Sequence, residues 1–280
     1  MNLESLPEAV QRLIAETGLK DRVVGVATIR GDSADQEAVD RFLLPRNEDL
    51  LLSHYTSWSR LEEALGRGSF CMKRIDQSSG DGQSGTYPAA NLHSTSAMDA
   101  DLHGHFPTVE NKTAIVSSNE ALRTRAFEHC WFEGWKECPK MWRDYGWNGA
   151  GVCIQTRSFA LFSAAYQASE QFHIMLGGCF YRNDDEPIPT IIGSMPLFCK
   201  RRQFSSENEV RLIAVINEAV IKRHVEELEW IPLRGMEFIE RLVLGPKMPT
   251  DLATIVRAKA KQILPTTTVL SPMTAASEID

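Results

Sequence analysis

The sequence has no closely spaced cysteine pair, no long apolar run and no excess of basic charge. None of its six cysteines stands in a C-x-x-C pair, so neither a disulfide framework nor a zinc site is expected. No run of about 18 apolar residues occurs, which argues against a membrane-spanning helix. The 37 acidic residues outnumber the 30 basic ones. The resulting formal charge of −7 does not favour a protein that coats nucleic acid or binds anionic membranes.

The remaining composition is typical of a soluble globular protein. The 280 residues are 43% hydrophobic and 24% charged, which suffices for a core and fits one large domain or two modest ones. Glu4 and Glu8 stand where a signal peptide would carry basic charge, so we expect a cytoplasmic protein. In that reducing compartment the cysteines are expected to be mostly buried free thiols.

Hydrophobic spacing divides the chain into three parts. Residues 1–48 carry two helical patterns and predict a helical N-terminal appendage. Residues 49–270 form the main domain, and residues 271–280 form a polar tail. More than one strand pattern lies between successive helices of the main domain. This order predicts an α+β fold rather than a repeated βαβ unit.

Three segments near the end of the main domain have clear patterns. Residues 210–216 form the clearest strand of the sequence, because every second position and most of the others are apolar. Residues 250–263 have the apolar spacing of a helix, and residues 196–202 also resemble a helix.

Residues 76–112 are rich in Gly, Ser, Asp and His and predict a long loop. Gly80 to Gly85 spells G-x-G-x-x-G, but no apolar strand precedes it and no helix follows, so we attribute the match to chance. The histidines and aspartates between His93 and His105 lack the spacing of metal ligands. A solvated polar loop is favoured there, and no metal is expected.

The segment His54-Tyr55-Thr56-Ser57 stands where a predicted strand enters a predicted helix that ends near Gly66 or Gly68. Such junctions expose side chains and backbone N–H groups together, which suits ligand hydroxyls and phosphates. The simpler alternative is that the Ser and Thr hydroxyls cap the helix.

Two carboxylates and a guanidinium precede and enter the clearest strand. Alternation along an extended chain would place Glu207, Glu209 and Arg211 on one face. Such a set is costly to bury unless it is paired or functional. A salt-bridged strand edge and a functional site both remain open, and the nearby Lys200 to Arg202 could pair with the carboxylates or meet an anionic ligand.

Met141, Trp142 and Tyr145 fall on one face of a predicted helix. Core packing is the default explanation for such a face. A stacking platform for a planar ring is the alternative.

An ordered set of motifs resembles a mostly bacterial family, domain-of-unknown-function family 2971. The matching segments run from about residue 50 to 250: H-Y-T-S at 54–57, C-W at 130–131, M-W-x-x-Y at 141–145, G-V-x-I at 151–154, K-x-x-x-F-x-x-E-x-E-x-R at 200–211 and L-V-L-G-P at 242–246. The family usually carries an N-D-P-x-E segment after its first helix. Here that region is a Gly/Ser-rich stretch instead.

The family is similar at a distance to the ADP-ribosyltransferase fold, and this resemblance implies an activity on NAD. It implies an α+β single domain with a mixed or antiparallel split sheet flanked by helices. It also implies His54 at the NAD ribose, Glu209 as the catalytic carboxylate and Glu207 beside it. The expected reaction is ADP-ribose transfer to an unknown macromolecule, or NAD hydrolysis, by a toxin or antiviral-defence effector.

The resemblance also implies roles for binding residues. Tyr55 or Tyr145 would stack on nicotinamide, Arg202 or Arg211 would meet the pyrophosphate, and Thr56 belongs to the same binding junction as His54. The alternative is a non-catalytic module of the same fold that senses a nucleotide or a partner protein. The missing N-D-P-x-E segment favours that alternative, and the oligomeric state stays open.

Overall fold

The computed structural model describes residues 49–77, 84–86, 117, 119–183, 194–217 and 226–272. The expected N-terminal appendage lies outside these residues, as do most of the long loop and most of the polar tail.

Strands and helices alternate irregularly along the described chain. The strands are β1 (Leu51–Thr56), β2 (Ser69–Arg74), β3 (Ala126–Glu133), β4 (Val152–Arg157), β5 (Phe172–Gly178), β6 (Phe180–Arg182), β7 (Cys199–Arg201), β8 (Glu209–Ile216), β9 (Leu228–Pro232), β10 (Arg241–Leu244) and β11 (Thr268–Leu270). The α-helices are α1 (Trp58–Arg67), α2 (Pro139–Asp144), α3 (Ser158–Ala165) and α4 (Thr250–Ile263).

Strand pairing is mostly antiparallel. Strand β1 pairs with β3 and with β4, β4 pairs with β10, and β5 pairs with β8, all antiparallel. The pairs β10–β11 and β6–β7 are parallel. The α+β class with a largely antiparallel open sheet is therefore confirmed for the described residues.

The chain forms two compact units, each assembled from separate segments. Unit I contains the described residues between 72 and 129 and between 169 and 229. Unit II contains residues 49–71, 130–168 and 230–272.

Helix α1 of unit II has clear signals at both ends. The Ser57 hydroxyl accepts a hydrogen bond from the Arg60 N–H at 3.3 Å, which satisfies one of the unpaired donors of the first turn. Gly68 ends the helix in the left-handed conformation (φ 60°), where its N–H donates to the Ala64 and Leu65 carbonyls. Trp58 and Leu61 lie on the buried face. The predicted junction and helix end are confirmed.

Strand β8 runs through the core of unit I. All of its residues are buried, and it pairs with β5 from Phe172 opposite Ile216 to Gly178 opposite Val210. The predicted strand is confirmed and begins one residue earlier, at Glu209. Helix α4 has the predicted bounds.

The helix expected over residues 196–202 is wrong. A single 3₁₀ turn, Met195–Phe198, is followed by strand β7, which pairs in parallel with β6. Tertiary pairing therefore overrides a local pattern that was too short to specify a helix.

The described cysteines are free thiols. Cys153, Cys179 and Cys199 are buried as predicted, Cys71 and Cys138 are partly exposed, and Cys130 is exposed. Burial raises the pKa of Cys153 and of Cys179, so neither thiol ionises readily.

Candidate functional site

His54 lies on β1 of unit II as a partly buried, neutral ring. Its Nδ1–H donates to the Cys130 carbonyl at 2.8 Å, which assigns the proton to Nδ1 and leaves Nε2 as an acceptor. The ring packs against the Trp131 indole at 5.3 Å between centroids. Desolvation, with a smaller effect of the positive charge of Arg60, lowers the pKa of His54 to about 4 against the opposing backbone hydrogen bond. A neutral imidazole can accept a hydrogen bond from a ribose hydroxyl.

Tyr55 and Thr56, the next residues of β1, are buried. The Tyr55 ring meets the Trp142 indole edge to face at 4.9 Å, and its hydroxyl accepts a hydrogen bond from the Cys138 N–H at 3.3 Å. Burial raises the pKa of Tyr55. Thr56 is 9% exposed. These surroundings are those of a core residue, and the stacking role of Tyr55 stays a prediction.

The aromatic face of α2 divides into a buried part and an exposed one. Met141 and Trp142 form a core cluster with Tyr55, Cys153 and Val243, which confirms the packing interpretation for these two residues. Helix α2 ends at Asp144, so Tyr145 lies beyond its last turn and is 46% exposed. Tyr145 is therefore the predicted stacking residue whose ring reaches solvent.

A buried ion network surrounds the start of β8 in unit I. The Arg211 Nε donates to Glu209 Oε1 at 2.6 Å, and its Nη1 donates to the Leu197 carbonyl at 2.7 Å. The same Nη1 lies 3.2 Å from Oε2 of Glu128 on β3. Arg211 is 1% exposed. Two acceptors, Glu209 and the Leu197 carbonyl, fix the guanidinium group, and the Glu128 carboxylate lies beside it as an ion-pair partner.

Lys200 of β7 holds the two predicted catalytic carboxylates together. Its ammonium lies 2.5 Å from Glu207 Oε2 and 2.7 Å from Glu209 Oε2. The prediction that Lys200 pairs with these carboxylates is confirmed. The expected common strand face holds only for Glu209 and Arg211, because Glu207 ends a 3₁₀ turn and Asn208 adopts a left-handed conformation (φ 38°). The turn at Asn208, rather than strand alternation, brings Glu207 to Lys200.

Glu209 is ionised despite its burial. Desolvation would raise the pKa of this 5% exposed carboxyl, but Arg211 and Lys200 outweigh it and lower the pKa to about 2. The Glu209 backbone N–H also donates to the Tyr181 hydroxyl at 2.7 Å. The carboxylate is therefore charged and fixed in orientation.

Glu128 belongs to this network and was not singled out from the sequence. It lies in β3, opposite Lys73 of β2, and is 6% exposed. The available signal was a carboxylate inside the apolar strand pattern of residues 126–132. Its partner Arg211 is distant in sequence, and only the pairing of β3 with β8 brings the two together.

The remaining basic residues near the network differ in exposure. Arg202 is exposed and reaches solvent, whereas Arg201 is partly buried and lies over the Phe204 ring at 5.7 Å. Arg202 fits a pyrophosphate ligand better than Arg211, since Arg202 is exposed whereas Arg211 is 1% exposed and donates to Glu209 and to the Leu197 carbonyl.

The predicted site residues thus fall into two groups, one in each unit. Glu207, Glu209 and Arg211 meet in unit I, where Arg202 also lies. His54, Tyr55 and Thr56 are consecutive in β1 of unit II, and Tyr145 belongs to the same unit.

No family model matches the sequence, and neither a curated protein nor a solved structure is detectably similar to it. In the part of the chain that the structure describes, no helix combines the length and apolarity needed to cross a bilayer.

Proposed function

We propose that this protein acts on NAD, either transferring ADP-ribose to a macromolecule or hydrolysing NAD, as a toxin or antiviral-defence effector. One observation carries the proposal: Glu209 is an ionised carboxylate, held by Arg211 and Lys200, at the start of a core strand. The resemblance of the ordered motifs to family 2971, and the distant likeness of that family to the ADP-ribosyltransferase fold, suggest NAD as the substrate.

The chemistry needs a fixed negative charge beside the ribose. As the nicotinamide–ribose bond breaks, its electron pair leaves with nicotinamide and positive charge builds on the ribose carbon. Glu209 stabilises that charge without having to lose a proton first. The acceptor then forms a bond to the ribose carbon and gives its proton to Glu207, which shares Lys200 with Glu209.

Substrate binding requires a local exchange of partners. Both Glu209 carboxylate oxygens are paired, Oε1 with Arg211 and Oε2 with Lys200. The Lys200 side chain is 12% exposed, whereas Arg211 is 1% exposed and is anchored by a backbone carbonyl. In our proposal Lys200 releases Oε2 to a ribose hydroxyl, and Arg211 keeps Glu209 in place.

Within unit I, Arg202 meets the pyrophosphate in this scheme, in agreement with its exposure. The roles of His54 at the ribose and of Tyr145 at nicotinamide stay predictions of the family resemblance. Arg211 becomes a positioning residue for Glu209 in this scheme.

The test is nicotinamide release from NAD by the Glu209→Gln variant. We expect a loss of about 100-fold or more, because the fixed charge is removed while the shape of the side chain is kept. Glu226→Gln, an exposed carboxylate of the same unit, is the matched control and should retain full turnover. Circular dichroism of both variants separates a catalytic loss from unfolding. A folded Glu209→Gln variant with undiminished turnover overturns the catalytic assignment.

The second candidate is a non-catalytic nucleotide or protein sensor of the same fold. It is favoured by one observation, the closed pairing of both Glu209 oxygens in a side chain that is 5% exposed. Calorimetry with NAD distinguishes the candidates. Binding without nicotinamide release would select the sensor, and turnover would select the enzyme.

A further inference from the structure

An indole on the surface of unit II is contacted by two arginines. The guanidinium carbon of Arg241 lies 4.0 Å from the centroid of the Trp135 ring, and that of Arg157 lies 5.6 Å from it. Arg241 lies on β10 opposite Gln155 of β4, and Arg157 is two residues further along β4, so both start from the same face of the sheet. The two cations are therefore gathered around one aromatic ring.

The indole is held in place by the sheet beneath it. Its Nε1–H donates to the Thr156 carbonyl at 3.1 Å, and the Trp135 carbonyl accepts a hydrogen bond from Gln155 Nε2 at 3.0 Å. Gln155 is 2% exposed. A fixed indole restricts the guanidinium groups that lie over it, so they lose less freedom when they bind a ligand.

The charge of the two arginines is only partly neutralised within the protein. Arg157 lies 3.4 Å from a carboxylate oxygen of Glu240. Arg241 is exposed, and within the described residues it makes no ion pair. The donors of its guanidinium group are thus available to an anion from solution.

In a second arginine–indole contact of the same unit, the charge of the arginine is already compensated by a carboxylate. Arg67 lies 4.4 Å from the Trp230 ring centroid, and its guanidinium forms an ion pair with Glu63 at 3.0 Å. The geometry over the ring is similar to that of Arg241, but an acidic partner is already present.

We propose that Arg241, supported by Arg157 and held over Trp135, binds the phosphate groups of a small phosphorylated molecule. The planar fork of the guanidinium matches phosphate oxygens in pairs, and the second arginine adds positive potential. A small ligand fits better than a nucleic acid, because Glu240 lies at the site and the chain as a whole carries a formal charge of −7. The site is independent of the proposed action on NAD.

Calorimetric titration with pyrophosphate at low salt tests the proposal. We expect binding by the unchanged protein, a loss of about tenfold or more in Arg241→Lys, and a smaller loss in Arg157→Lys, since Lys keeps the charge without the paired donors. Arg67→Lys is the matched control and should bind like the unchanged protein. A loss in Arg241→Lys also separates this site from the proposed catalytic one, because pyrophosphate bound at Arg202 of unit I would leave that variant unaffected.

Three results would overturn the proposal. They are the absence of pyrophosphate binding, equal losses in Arg241→Lys and Arg67→Lys, and tighter binding of a single-stranded oligonucleotide than of pyrophosphate. Arg241 is exposed, so its Lys variant should fold, and a thermal melt without ligand checks this.

Discussion

The ion network around Arg211 and the aromatic cluster around Tyr55 both bury polar atoms near the end of a strand. In unit I the buried groups are charges, and Arg211 and Lys200 together compensate three carboxylates. In unit II the buried groups are a phenol and an indole, stabilised mainly by ring packing and by one hydrogen bond each, from the Cys138 N–H to Tyr55 and from Trp142 to Glu137.

This difference determines how the stability of each region responds to a substitution. Removing one member of a charge network leaves the others buried without compensation, so the penalty exceeds the value of the lost contact. Removing one polar atom from the aromatic cluster leaves most of the buried apolar area intact. We therefore expect abrupt losses in unit I and graded losses in unit II.

The largest effect is expected from Arg211→Met. This change leaves Glu209 and Glu128 buried without their guanidinium partner and should lower the free energy of unfolding by about 3–5 kcal/mol. Urea denaturation measures the loss. Gln203→Met, at an exposed neighbouring position, should change it by less than about 0.5 kcal/mol. A loss below about 1 kcal/mol for Arg211→Met would show that the network does not stabilise the fold.

A pH titration of stability separates the two regions. The pKa of His54 is about 4 in the folded protein and about 6.5 when unfolded, so the unfolded state binds the extra proton first. The free energy of unfolding should therefore fall by roughly 2–3 kcal/mol as the pH drops from 6.5 to 4, allowing for the partial exposure of the ring. His54→Gln should remove this slope.

Glu209→Gln serves as the control for that titration. The pKa of Glu209 is about 2, below its ordinary value, so its contribution to stability is complete above about pH 4.5 and is lost only as the pH falls towards 2. This variant should keep the slope between pH 6.5 and 4. Denaturation midpoints measured at steps of half a pH unit locate the pH range in which each group loses its contribution to stability. If both contributions were lost in the same pH range, the pKa assignments would be contradicted.

A smaller effect is expected from Tyr55→Phe. The change keeps the ring against Trp142 but leaves the Cys138 N–H without its acceptor, at a cost of about 1–2 kcal/mol. Tyr166→Phe, at a ring that is 46% exposed, should be nearly neutral. Urea denaturation compares the two, and equal losses would mean that the buried hydroxyl makes no special contribution.

The smallest expected effect is that of Ser57→Ala at the start of α1. The hydroxyl that accepts from the Arg60 N–H is lost, which should lower the free energy of unfolding by about 1 kcal/mol. Ser206→Ala, at an exposed site, provides the baseline. If both variants melt at the same temperature, the cap is not needed.

Local elements were predictable from the sequence where their signals are local. Helix α4 and the cap at Ser57 follow from spacing and residue type within one segment. Strand β7 was missed because its pairing with β6 lies outside the segment that was read as a helix. The local pattern could not reveal that partner.

The candidate site was predictable as a set of residues but not as a set of contacts. The sequence indicated that Glu207 and Glu209 needed partners and suggested Lys200 among them. It gave no sign of the left-handed Asn208, which sets the direction of Glu207, or of Glu128, whose partner Arg211 is on a strand far along the chain. Both features depend on the three-dimensional pairing of strands.

The position of β4 has a consequence for biosynthesis. One edge of β4 pairs with β1, which precedes it in the chain, but the other edge pairs with β10, which follows much later. While the ribosome translates the residues between them, the second edge of β4 has no native partner. A nascent or truncated chain that stops before Arg241 therefore exposes one edge of the strand Val152–Arg157, which is largely buried in the complete fold, as a template for pairing with another chain.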